Sequence, residues 1–130
     1  MKIAVALEGT LSDASHRFNL KDESFEAYQN AHDKDEPNTK LIEFLNQVAD
    51  ELVVYSTTPD NLRLAVSKWL MDNGVEVDEL VLKKKSDYRP EYEIKVSMIE
   101  RLDNDYKVVV ENSAKVADLL REKGYLVLQT

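Results

Sequence analysis

The chain has no cysteine, and only three glycines, three prolines and one tryptophan among its 130 residues. Without thiols it can build neither a disulfide framework nor a thiolate metal site. No segment approaches the ~20 consecutive apolar residues that a membrane-spanning helix needs. The apolar start at Met1 to Leu7 runs straight into Glu8, so it does not read as a signal peptide. Basic residues are outnumbered, 17 against 25 acidic, for a net charge of −8. Such a field repels a polyanion, so extended nucleic-acid binding is not expected as the main activity. No internal repeat or low-complexity tract is present. The expectation is a cytoplasmic protein without membrane contact.

Apolar residues make up 43% of the chain and charged residues 32%, which is a globular composition. Its length suits one domain with one core, expected over residues 1–130. Two kinds of segment alternate. Short runs rich in Val, Ile and Leu at residues 2–7, 52–55, 80–82, 108–110 and 126–128 suit strands buried on both faces. Between them lie segments of helical spacing. Leu41, Phe44, Leu45 and Val48 share one face, and Leu62, Ala65, Val66, Trp69 and Leu70 another. Ile94, Met98 and Leu102 form a third, and Val116, Leu119 and Leu120 a fourth. Pro37, Pro59 and Pro90 stand near expected helix starts, and Gly74 and Gly124 where helices end. Alternating strands and helices predict an α/β fold with three layers and about five parallel strands.

One stretch breaks the alternation. Residues 9–36 form a polar-rich insertion after the first strand, in which Phe25, Tyr28 and Ala31 have helical spacing. It is expected to carry a short helix and act as a minimal cap over about residues 12–36, above the carboxyl ends of the strands where α/β proteins bind ligands. Those ends bring forward Glu8 to Asp13 after the first strand, Ser56 to Pro59 after the second, Lys95 in the third helix, and Glu111 and Asn112 after the fourth strand. Lys83, Lys84 and Lys85 read as a solvated loop rather than a phosphate site, and Trp69 as core. Neither His16 nor His32 has metal-ligand spacing.

The run Ala6-Leu7-Glu8-Gly9-Thr10-Leu11 resembles the D-x-D-G-T-[LV] signature of haloacid-dehalogenase-type phosphatases. Ser12-Asp13-Ala14-Ser15-His16-Arg17, Asp87-Tyr88-Arg89-Pro90, Lys95 and Lys115-Val116-Ala117-Asp118 resemble, in order, the phosphatase domain of phage-type polynucleotide kinases. The resemblance implies a Rossmann-like core. It also implies an aspartyl nucleophile, a second carboxylate as acid and base, a hydroxyl and a lysine that hold phosphate, and acidic residues that complete a Mg²⁺ site.

Carried onto this chain, the nucleophile position is Ala6, which can neither attack nor ligate. Glu8 takes the acid/base position. Ser56 and Lys95, with the Gly9-Thr10 turn, take the phosphate-binding ones. Glu111 and Asn112 take the metal positions, one charge short. Asp13, His16 and Arg17 take the substrate rim. Each has a plainer reading: Glu8 as a loop carboxylate, Ser56 as a turn residue before a helix, His16 and Arg17 as surface loop. With no metal, Lys95 is expected to pair with Glu8, Glu111 or both.

The leading expectation is a catalytically degenerate, non-enzymatic binding or regulatory protein, phage-encoded and working in the host cytoplasm with a protein partner and no cofactor. The alternatives are an atypical Mg²⁺-dependent phosphohydrolase of nucleotide or polynucleotide phosphates, and a phosphatase-like subunit of a larger nucleic-acid-processing enzyme.

Overall fold

The pleat of the first strand divides the core in two, and a computed structural model describing residues 1–17, 20, 24, 27 and 31–130 shows how. In chain order the elements are β1 (Lys2–Ala6), β2 (Ser12–Asp13), β3 (Glu36–Pro37), α1 (Thr39–Val48), β4 (Glu51–Pro59), α2 (Arg63–Asp72), β5 (Glu79–Lys83), α3 (Glu91–Glu100), β6 (Val108–Glu111), α4 (Ala114–Glu122) and β7 (Leu126–Gln129). Five strands form one parallel sheet in the order β5-β4-β1-β6-β7. Successive side chains of a strand point to opposite faces. Ile3 and Val5 therefore pack with Leu52, Val54 and Val110 against Ile42 and Leu45 of α1 and Val66, Trp69 and Leu70 of α2. Ala4 and Ala6 pack with Val53, Tyr55 and Val109 against Ile94 and Ile99 of α3 and Val116, Ala117 and Leu120 of α4. The result is the expected three-layer α/β architecture.

The central position of β1 follows from the connections. α1 and α2 carry the chain outward to β4 and β5, and α3 returns it across the sheet to β6 on the other side of β1. The strand order reverses at β1, and the crevice at such a switch point is where open α/β sheets place their sites.

Several details depart from the sequence reading. Phe44 is 50% exposed, and Ile42 takes its place in the core. At 3.6 residues per turn the two stand about 200° apart, and the buried arc of α1 centres on Ile42 and Leu45. β4 runs on through Ser56, Thr57 and Thr58 to Pro59, where a register shift lets Pro59 pair with Lys83. The next helix starts only at Arg63, after a 3₁₀ turn at Asp60–Leu62. Gly74 and Gly124 follow their helices at φ of +73° and +96°, as C′ glycines do. The helix expected around Phe25 and Tyr28 lies outside the described residues.

The insertion is tied at its base. β2 and β3 pair antiparallel, Ser12 with Pro37 and Asp13 with Glu36. Beside them the Arg17 guanidinium donates to both Asp35 oxygens, Nε to Oδ1 at 2.9 Å and Nη2 to Oδ2 at 2.7 Å. The Trp69 indole N–H donates to the Asp35 carbonyl at 3.0 Å, which joins the insertion to α2. Both ions are buried, so removing one takes from the other its main charge-assisted bonds. Asp35→Ala is expected to cost about 3–5 kcal/mol in urea denaturation. A loss under about 1 kcal/mol, as for an exposed pair, would contradict this placement.

Candidate functional site

Buried polar side chains need internal partners, so their location is informative. Among the described residues they are Thr10, Ser12, Arg17, His32, Asp35, Ser56, Thr58, Lys95 and Glu111. All lie in the insertion, at the carboxyl ends of the strands or in α3, which packs on the sheet. Several of them gather around two carboxylates, Glu8 and Glu111.

The first group surrounds Glu8. The Ser56 hydroxyl donates to both carboxylate oxygens, at 2.9 and 2.7 Å, and Thr58 Oγ1 donates to Oε1 at 2.6 Å. Arg17 Nη2 lies 3.9 Å from the same oxygen. The Thr58 N–H donates to Ser56 Oγ at 2.9 Å and holds that hydroxyl in place. Ser56 is thus not a turn residue that opens a helix; its hydroxyl serves Glu8.

The second group surrounds Glu111, whose exposure is 0%. Oε1 accepts from the Tyr55 hydroxyl at 2.8 Å. Oε2 accepts from the backbone N–H groups of Asn112 at 2.9 Å and Ser113 at 2.7 Å. Lys95 Nζ lies 3.3 Å from each oxygen, and 3.4 Å from Glu91 of its own helix. Ser113 caps α4, so Glu111 also sits at the positive end of that helix. Of the two partners expected for Lys95, the described contacts contain Glu111 and not Glu8. Lys95 and Ser56 therefore serve different carboxylates, rather than holding one phosphate together.

Ala6 stands between the groups. It is the register partner of Tyr55 on β4, and Val5 pairs with Val110 on β6, which sets Glu111 beside Ala6 on its other flank. The outer strands are about 10 Å apart, twice the strand spacing. The Tyr55–Glu111 hydrogen bond crosses that distance on the face to which Ala6 points. Ala6 is 1% exposed. A methyl group leaves room for this bridge, where a longer side chain would meet it.

The remaining site positions turn inward. The Gly9 N–H donates to the Ser12 carbonyl at 2.8 Å and the Thr10 N–H to the Leu7 carbonyl at 3.3 Å, so neither amide is left to bind an anion. Gly9 has φ +81°, and a Cβ there would come within 2.3 Å of Asn112 Nδ2. Thr10 Oγ1 lies 3.4 Å from Asn112 Oδ1, so the turn and Asn112 interlock. Asp13 is exposed and accepts from the Ser15 N–H at 2.9 Å; bonds from Ser15 hold its carboxyl below the usual range. Arg17 is not on a rim but fully buried, and His16 Nε2 lies 2.7 Å from Asp35 Oδ1, so both residues are engaged by the insertion itself.

Magnesium requires near-octahedral oxygen coordination. Ala6 supplies no donor. A carboxylate has about four lone-pair sites, and those of Glu111 already face Tyr55, Lys95 and two backbone amides. Asn112 offers one amide oxygen. No cluster of three His, Asp or Glu able to hold a metal occurs among the described residues. These side chains do not fit a magnesium ion.

The chain matches the family of polynucleotide kinase PNKP phosphatase domains over residues 2–130. It belongs to that family. This PNKP-type phosphatase domain is similar in structure to a chain of the Pnkp1/Rnl/Hen1 complex, with TM-score 0.77 and 21% identity over 99% of its own length and 45% of the other. A second match, from the Pnkp1/Rnl/Hen1 RNA repair complex, has TM-score 0.82 and 20% identity over 99% and 42%. A solved structure assigned as a beta-phosphoglucomutase from Thermotoga maritima matches at TM-score 0.60 and 15% identity, over 99% and 85%. The domain thus spans less than half of the Pnkp1-complex chains. No curated protein matches.

Three participants escaped the sequence reading as site residues. Thr58 was brought to the carboxyl edge with Ser56 to Pro59 but given no role of its own. Asp35 lies in a charge-rich run with nothing to single it out. Tyr55 carried a signal, since a tyrosine within a two-face-buried strand must find a hydroxyl partner. Burial and the Glu111 charge hold the Tyr55 phenol well above its ordinary pKa of 10.0. The folded chain therefore keeps that proton while the unfolded chain releases it above pH 10, and stability falls as pH rises past that point. Tyr55→Phe removes this contribution. Between about pH 8 and about pH 11 its denaturation midpoint should fall less than that of the native chain. Equal losses would contradict the buried phenol.

Proposed function

We propose that this PNKP-type phosphatase domain does not hydrolyse phosphate and serves as a binding or regulatory part of a nucleic-acid-processing assembly. The observation that carries the reading is the bridge over Ala6. The position of the attacking carboxylate holds a buried methyl, and Tyr55 and Glu111 close over it. Covalent phosphoryl transfer needs a nucleophile aligned with phosphorus and charge to neutralise the equatorial oxygens. Here the nucleophile is missing, and the carboxylate that would hold the metal is saturated.

The assembly half of the reading has its support in the structural matches, which are chains of a multi-subunit RNA repair complex. A protein partner is the natural ligand class for such a domain, and a phage source in a host cytoplasm completes the proposal. The competing reading, an atypical hydrolase with Glu8 as base and Ser56 and Lys95 on the phosphate, fits the geometry less well. Lys95 is held by Glu111 and Glu91, while Ser56 is held by Glu8.

The test is turnover of a nucleoside 3′-phosphate and of p-nitrophenyl phosphate by the purified chain with magnesium. No phosphate release above that of the Lys95→Ala variant is expected. Metal-dependent release that Lys95→Ala abolishes would overturn the proposal.

A further inference from the structure

The helix layer that contains α3 stops short of the sheet edge. α3 packs against β4, and β5, the outermost strand on that side, has no helix over it on this face among the described residues. The register shows the consequence. Tyr55 of β4 and Val81 of β5 are partners and share this face, yet Tyr55 is wholly buried and Val81 only partly. Between β5 and α3 runs a groove of about 430 Å³. Val81 lies in its floor, and Ile94, Met98 and Leu102, successive at four residues, form an aliphatic wall. Lys84 and Arg101 line the same groove, and Lys85 stands next to Lys84. In a chain with 17 basic residues against 25 acidic ones, a cation without a carboxylate is unexpected. Yet none of these three side chains has a hydrogen bond, ion pair or ring contact among the described residues. Of the two carboxylates that line the groove, Asp87 is held by Arg89 Nε and Nη2 at 3.0 and 2.7 Å, and Glu79 stands at the opposite end of β5 from Lys84.

We propose that this groove is the docking surface for an amphipathic helix of a protein partner, with an aliphatic face and carboxylates along its flanks. A helix is the shape the place calls for, because one laid over β5 beside α3 continues the layer that covers the rest of this face. The floor and wall take the i, i+3, i+4, i+7 stripe of such a helix. Lys84, Lys85 and Arg101 supply the charge complementarity, on a molecule whose net charge of −8 otherwise repels an acidic partner. A single nucleic-acid strand is held instead by aromatic faces on which its bases stack, and no aromatic residue lines the groove. The exposed Tyr88 belongs to a neighbouring depression with Asp60. Neither Glu8 nor Glu111 lines the groove, so the proposal holds whether or not the domain hydrolyses phosphate.

The experiment follows the backbone amides of the chain by NMR while three probes are added at constant ionic strength. The first is a synthetic helical peptide with leucine on one face and glutamate on its flanks. The second is the same peptide with lysine for glutamate, and the third is oligouridylate. The leucine–glutamate peptide is expected to give saturable shifts at residues 81–86 and 97–102. In the double variant Lys84→Glu with Arg101→Glu its affinity should fall at least about tenfold, since like charges then face each other. Both positions are exposed, so the variant keeps the fold, which its remaining amides verify. The lysine peptide should bind at these residues at least about tenfold more weakly than the glutamate one. Three results overturn the proposal. They are no saturable shift at these residues with the leucine–glutamate peptide, an affinity that the double variant leaves unchanged, and equal binding there by the lysine peptide. Shifts of the same residues by oligouridylate alone would assign the groove to nucleic acid and overturn it as well.

Discussion

A carboxylate with no access to water keeps its charge only where donors replace its lost hydration. Glu111 meets that demand with a phenol, an ammonium and two backbone amides at the start of a helix. Much of the carboxyl edge follows from it. The phenol comes from β4 and the carboxylate from β6, so their bond spans β1 and requires a small side chain at Ala6. The ammonium comes from α3 and fixes that helix against the sheet. In a PNKP-type phosphatase domain these are the places where a metal and a nucleophile would act. Here the same positions form a neutralised, closed cluster.

The Glu8 group is satisfied by a different route. There the fixed groups are donors, Ser56, Thr58 and Arg17, and the chain supplies the anion, Glu8. In both halves the carboxylate is met by donors that the protein supplies. The two halves differ in permanence. Glu111 is wholly enclosed, and removing any partner exposes a buried charge. Glu8 is partly open and hangs on a flexible side chain.

The α/β architecture was legible in the sequence because burial on both faces leaves strands as unbroken apolar runs, and because Gly74 and Gly124 mark helix ends. Boundaries were less so. Ser56, Thr57 and Thr58 read as following the strand, yet they extend β4, and the Ser56 and Thr58 hydroxyls find their acceptor in Glu8 rather than in water. Phe44 and Ile42 lie on nearly opposite faces of one helix, and tertiary packing decides which is buried. In the site, the family pattern located Ala6, Glu8, Ser56, Lys95 and Glu111. Their grouping was hidden, because which carboxylate a lysine chooses depends on rotamer and strand geometry. Tyr55 and Asp35 belong to no motif, and only the fold reveals their partners.

The central claim is that Glu111 is saturated by the protein and has no place for a metal. A titration with Mg²⁺ that follows the backbone amides of Asn112 and Ser113 by NMR tests it directly, since both donate to the Glu111 carboxylate. No saturable shift at these two amides is predicted. A saturable, site-specific shift there, displaced by a chelator, would show that the carboxylate still coordinates and would contradict the account.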